Sequence, residues 1–260
     1  MSASGNAAAS QTASRMAPAF IGLMGISALA IFTEGILKMA SPHYIEFLTL
    51  LLLGALTSRL KLKLPGVTGN MSVSLPFIFI AMTRLGLLEV LVVAGASIFT
   101  QSLPKRGEKL RSVRVLFNVS TALVAAGLGC EAFNRLSAAA SAWSHTAFAL
   151  VAACATYLLV NTLAVAIIIS LTEQLNPLRT WSDIVHLSFA NYLGSAGLAS
   201  MVATVGGRAS WPVFAAILAI TFFTFRCYKL YFGLTNIAQS AAAGGGLLPS
   251  MRQTSVAAGR

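Results

Sequence analysis

Eight apolar runs, separated by short segments that hold most of the charge, constrain this chain more than any other feature. They are Met16–Leu37, Tyr44–Thr57, Val73–Met82, Gly86–Leu103, Val113–Ala132, Ala142–Leu171, Ile184–Val205 and Pro212–Phe232. A helix needs ~20 residues to cross ~30 Å of hydrocarbon. Six of the runs reach or approach that length, Tyr44–Thr57 is short, and Val73–Met82 is too short to cross alone. Of the 260 residues 57% are apolar and 10% charged, whereas a soluble domain carries about 25% charged residues. With so little charge to cover a water-facing surface, the lipid bilayer is the expected solvent. The predicted fold is an all-α polytopic membrane helical bundle of six long transmembrane helices plus a broken, short helix pair.

The broken pair is expected over Val73–Leu103. It is preceded by the turn-rich Leu64-Pro65-Gly66-Val67-Thr68-Gly69-Asn70, contains Pro76, and is interrupted at Arg84 and Gly86. Non-helical backbone at membrane depth is tolerated where protein or a wet cavity covers it. If the eight runs alternate in direction, one side of the membrane receives fourteen Lys and Arg. The other keeps only Lys38, Arg84, Arg135 and Arg208. Short loops rich in Lys and Arg stay cytoplasmic, which predicts both termini inside and a bacterial inner-membrane location. Tyr44, Trp143, Trp181 and Trp211 open apolar runs, and Tyr228 and Tyr231 close the last, as interfacial anchors do. Residues 1–15 and 233–260 are small and polar and are expected to be flexible tails around a 16–232 membrane domain.

The net charge of +11, from 18 Lys and Arg against 7 Asp and Glu, leaves few acids for catalysis. The basic residues lie between apolar blocks and not along one face, which argues against nucleic-acid binding. Cys130, Cys154 and Cys227 form neither a metal spacing nor a disulfide framework, and no metal or other cofactor is expected. No nucleophile–base pair or carboxylate pair is recognisable, so no catalytic residue is assigned and no enzymatic activity is expected.

Charges inside apolar runs are costly and must pair or face a cavity. On the predicted outer side stand Glu34, Lys38, His43, Glu46, Arg84, Glu89, Glu131 and Arg135. Arg84, Glu89, Glu34 and Glu46 are candidates for a polar pocket that binds a small molecule. Lys38, Glu131 and Arg135 fit interface charges, paired i to i+4 with Glu34 on one helix and with each other on another. Asn118, Asn161, His186 and Asn191 must find hydrogen bonds within the runs. Helix-to-helix bonding is the plain reading for them, and Asn161, in the longest run, is the strongest ligand candidate. The cluster containing Lys105, Arg106, Lys109 and Arg111 suits an anionic lipid surface or a protein partner, and equally a topology-setting loop.

Three stretches carry a resemblance. The first is Lys63 to Val73, continuing to Pro76-Phe77-Ile78-Phe79. The second joins Leu88-Glu89 through Gln101-Ser102-Leu103 to Val115-Leu116-Phe117-Asn118-Val119. The third comprises Asn161-Thr162-Leu163, Leu171-Thr172-Glu173, Trp181, Tyr192-Leu193 and Tyr228-Lys229-Leu230-Tyr231. Together they resemble the membrane-embedded N-terminal sensor region of bacterial cyclic-di-GMP signalling proteins with HD-type phosphohydrolase or diguanylate cyclase output domains. Ala164 and Ala190 stand where that pattern has prolines. The resemblance implies a sensor or input module, and with no output domain after Tyr231 it implies relay of an extracytoplasmic or intramembrane cue to a separate cytosolic protein. The broken Val73–Leu103 element is also similar, at the level of fold, to substrate-binding membrane subunits of vitamin transporters. Small-molecule uptake is therefore the alternative function, and a ligand-free scaffold a third.

Overall fold

A computed structural model describes residues 3–38, 44–63, 70–104, 111–138, 143–204 and 211–244. Among them are eight helices: α1 Ala3–Leu37, α2 Tyr44–Thr57, α3 Leu75–Arg84, α4 Leu87–Ser102, α5 Ser112–Ala138, α6 Trp143–Glu173, α7 Pro177–Thr204 and α8 Trp211–Gly244. Two three-residue strands, β1 Lys61–Lys63 and β2 Asn70–Ser72, pair antiparallel with Leu62 opposite Met71. Each apolar run has become one helix. Helical backbone also extends into the segments expected as tails, from Ala3 in α1 and as far as Gly244 in α8.

Six long membrane helices are expected, and the structure corrects that number. Among the described residues four helices are long and apolar enough to cross a membrane: Met16–Leu37, Ser112–Ala138, Thr146–Glu173 and Pro212–Tyr231. α4 has 16 residues, about 24 Å at the helical rise, short of the hydrocarbon thickness. α7 has 28 residues, but Arg179, Asp183, His186, Asn191 and its serines lower its hydropathy. It also starts earlier than its apolar run, because Asn176 caps it. The Asn176 Oδ1 accepts the backbone N–H groups of Leu178 (3.0 Å) and Arg179 (3.4 Å), and Pro177 occupies the first helical position, where its missing N–H costs nothing.

The core centres on α3. Leu75 through Met82 are all buried, with Phe77, Ile78, Phe79, Ile80 and Ala81 fully so. A helix apolar on every side belongs inside a bundle, and α3 packs on α7, α2, α4, α5 and α6. Ser74 precedes it, and Pro76 falls in its first turn, where proline is tolerated. The chain then reverses through two extended residues, Leu85 (φ −118°, ψ 164°) and Gly86 (φ −73°, ψ 168°), before α4 begins. The interruption between α3 and α4 is therefore a sharp hairpin. α1 lies outside on α5, α6 and α4, and Val73 packs with Leu60, Phe225 and Tyr228 near the strand ribbon.

Candidate functional site

The α3–α4 hairpin gathers charge at one end of the bundle. Arg84 closes α3, and its Nη2 donates to the Val202 carbonyl near the end of α7 at 3.3 Å. Its Nε lies 4.0 Å from Glu46 Oε1 in the first turn of α2, with both side chains about one-fifth exposed. One guanidinium thus ties α3 to α2 and α7. Arginine suits that position because it cannot lose its charge and presents several donors in a fixed fork.

Glu89 sits in the first turn of α4 and is buried. Its Oε2 has no hydrogen-bond partner among the described residues. The positive end of the α4 dipole favours a carboxylate there. The group folds back over Gly86 so closely that a Cβ on that residue would lie 2.6 Å from Oε2. Glycine at 86 is thus the residue that leaves room for the acid.

At the same end, Glu34 pairs with Lys38 at 2.6 Å and Glu131 with Arg135 at 2.7 Å, each one helical turn apart and substantially exposed. The Glu34 hydrogen bond and charge raise the Lys38 pKa above its ordinary 10.5, with Glu131 adding in the same sense and Arg135 opposing. A raised lysine pKa holds the ammonium charged through neutral pH, and its proton is lost only as pH climbs past that value. Both are exposed ion pairs one helical turn apart, a kind that contributes little to stability.

Asn161 lies apart from this cluster. Its Nδ2 donates to the Tyr192 hydroxyl at 2.8 Å, about 15 Å along α7 from Val202. Tyr192 joins Phe79 and Tyr157 in a buried aromatic trio, with ring centroids 5.6 to 6.4 Å apart. Thus α3, α6 and α7 meet around one hydrogen-bonded phenol. Asn118 Nδ2 approaches Ser102 Oγ at 3.5 Å. His186 Nδ1 engages the Ser182 backbone oxygen of its own helix at 2.8 Å, not Asp183. Trp181, expected as an interfacial anchor, donates its indole N–H to Thr162 Oγ1 at 3.1 Å. His43, Lys105, Arg106 and Lys109 fall outside the described residues, and Arg111 is exposed just before α5. Among the described residues no group of three His, Cys, Asp or Glu is placed to hold a metal ion.

Sequence reasoning misses Tyr157 and the Val202 carbonyl. The tyrosine is hidden among apolar neighbours in its run, and a backbone acceptor leaves no mark in a sequence.

Residues 30–222 match the family model MASE9, a family of membrane-associated sensor-type domains. No curated protein and no solved structure matches the chain.

Proposed function

We propose, from the premise that this chain belongs to the MASE9 family of membrane-associated sensor-type domains, that it relays an extracytoplasmic or intramembrane cue to a separate cytosolic protein. The observation that carries this reading is the Arg84 junction. A cue that alters the charge or solvation of Glu46, Arg84 or Glu89 acts at once on α2, α3, α4 and α7, because one break positions all of them. Coupling of this kind needs an element with two arrangements that the cue biases differently. A long, partly exposed ion pair beside a buried carboxylate is a reasonable place for it. The Lys and Arg distribution supports an inner-membrane location with this junction outside and both termini in the cytoplasm. It leaves Lys105, Arg106, Lys109 and Arg111 for anionic lipid headgroups or the partner.

The test is a chimera carrying a reporter cyclase after Gly244, compared in cells as wild type, Arg84→Ala, Arg84→Lys and Glu46→Gln. A relay predicts that Arg84→Ala and Glu46→Gln shift output in the same direction, with Arg84→Lys intermediate, at equal membrane abundance. Identical output from all four proteins, at equal abundance and across changes of external pH and salt, would favour a scaffold.

A further inference from the structure

A cavity of about 320 Å³ lies between α3, α7 and α8, bordered by Val73 just before α3 and Pro76 on it, by Gly194 and Gly197 on α7, and by Thr221 and Thr224 on α8. Its walls are overwhelmingly apolar. The two glycines form one side, and a Cβ built on either meets nothing within 4 Å. Both are exposed on the surface of α7, so the cavity opens where a lipid phase would lie. A volume near 300 Å³ with apolar walls and few polar groups is the low end of the size of small-molecule sites.

Thr221 supplies the second observation. Threonines in these helices habitually satisfy their hydroxyls on the carbonyl one turn back. Thr33, Thr49, Thr57, Thr156, Thr162, Thr172 and Thr224 all do so at 2.7–2.8 Å. Thr121 and Thr221 depart from this habit, each 1% exposed with an Oγ1 that has no partner among the described residues, and of the two Thr221 borders the cavity. An unpaired hydroxyl in apolar surroundings is unfavourable. A ligand oxygen in the adjoining cavity would relieve it after a side-chain rotation that turns the hydroxyl, itself almost without accessible surface, toward the cavity. Ser195 and Thr224, also on the lining, already bond Asn191 and Ile220 carbonyls, so Thr221 is the hydroxyl left to recognise a guest.

We propose that the α3/α7/α8 cavity binds an uncharged, membrane-dissolved molecule with an apolar tail and one hydrogen-bonding oxygen, of the long-chain alcohol class, held by Thr221. The oxygen meets the threonine hydroxyl, and the tail lies along the glycine wall toward the lipid. α8 is the element best placed to respond, because only 17% of its membrane-length stretch is buried, against 56% for α5. That consequence rests on the sensor reading above; the binding itself does not.

The probe is a long-chain alcohol bearing a diazirine, photolysed with the full chain in proteoliposomes and mapped by peptide mass spectrometry. Labelling should concentrate on the α3, α7 and α8 peptides that border the cavity. Gly194→Phe, which fills the cavity from an open Cβ position, should reduce it by about ten-fold or more. Thr221→Val keeps the shape and removes the hydroxyl, and should reduce it by roughly three- to ten-fold, the value of one hydrogen bond. An excess of unlabelled alcohol should compete, and the matching alkane should not. Labelling spread along the lipid-facing sides of α1 and α2, or unchanged in Gly194→Phe, would overturn the site, and equal competition by the alkane would overturn the role of Thr221. Flat output from the reporter chimera alongside localised labelling would remove the sensor reading and leave the binding site standing.

Discussion

The Asn161–Tyr192 hydrogen bond is the clearest case of one side chain deciding what its neighbour can tolerate. Replacing Asn161 with leucine leaves a phenol hydroxyl buried and unpaired, which costs about 1–3 kcal/mol. Replacing both residues, as Asn161→Leu with Tyr192→Phe, removes donor and acceptor together and should restore much of that loss. A double-mutant cycle by reversible unfolding in bicelles should give a coupling of about 0.6 kcal/mol or somewhat more, the usual size of an interhelical hydrogen bond in a membrane. Additive losses would mean that the aromatic contacts of Tyr192 with Phe79 and Tyr157 carry the site, and the hydrogen bond does not. Asn161 is visible in the sequence as a polar residue that needs a partner. That the partner is a tyrosine 31 residues later is not, because the pairing depends on the register between α6 and α7.

At the level of elements, the short helices do what the long ones cannot. α3 is only 10 residues, yet it forms the axis of the core because every face of it is apolar. The long α1 contributes a narrow stripe, with Met24 and Ala28 buried against Phe117 and Val124 of α5 and Ala164 of α6. Small residues set how near two such helices approach. Gly127 of α5 lies directly under Ile31 of α1, and a Cβ there would overlap the Ile31 side chain. Gly127→Val should therefore destabilise the protein by about 1–3 kcal/mol through overpacking. Adding Ile31→Ala should recover part of that, measured as the thermal midpoint in mild detergent. A Gly127→Val protein as stable as wild type would show that α1 moves off α5 without loss. The broken α3–α4 pair is legible beforehand from Pro76, Arg84 and Gly86. Its form as a hairpin that brings Arg84 to α2 and α7 is a tertiary fact.

For the whole molecule, Arg84 at the end of α3 meets the start of α2 and the end of α7, and Gly35 near the end of α1 lies against Leu88 at the start of α4, so these helices alternate in direction through the bundle. The charge distribution then predicts which end faces outward. Alkaline phosphatase fused after Lys38 should be active and fused after Lys63 inactive in a bacterial host; the reverse pattern would invert the assigned orientation. The positions of the eight helices, their membrane association and the resemblance to a sensor region all follow from the sequence by itself. Apolar length and the placement of Lys and Arg are properties of the chain that any packing must respect. Which apolar faces meet protein and which meet lipid was decided only by the tertiary structure, because hydrocarbon and protein interior satisfy an apolar side chain almost equally well. For that reason α3 becomes the axis of the core, and Thr221, one threonine among many in the sequence, is left with its hydroxyl unpaired beside a cavity.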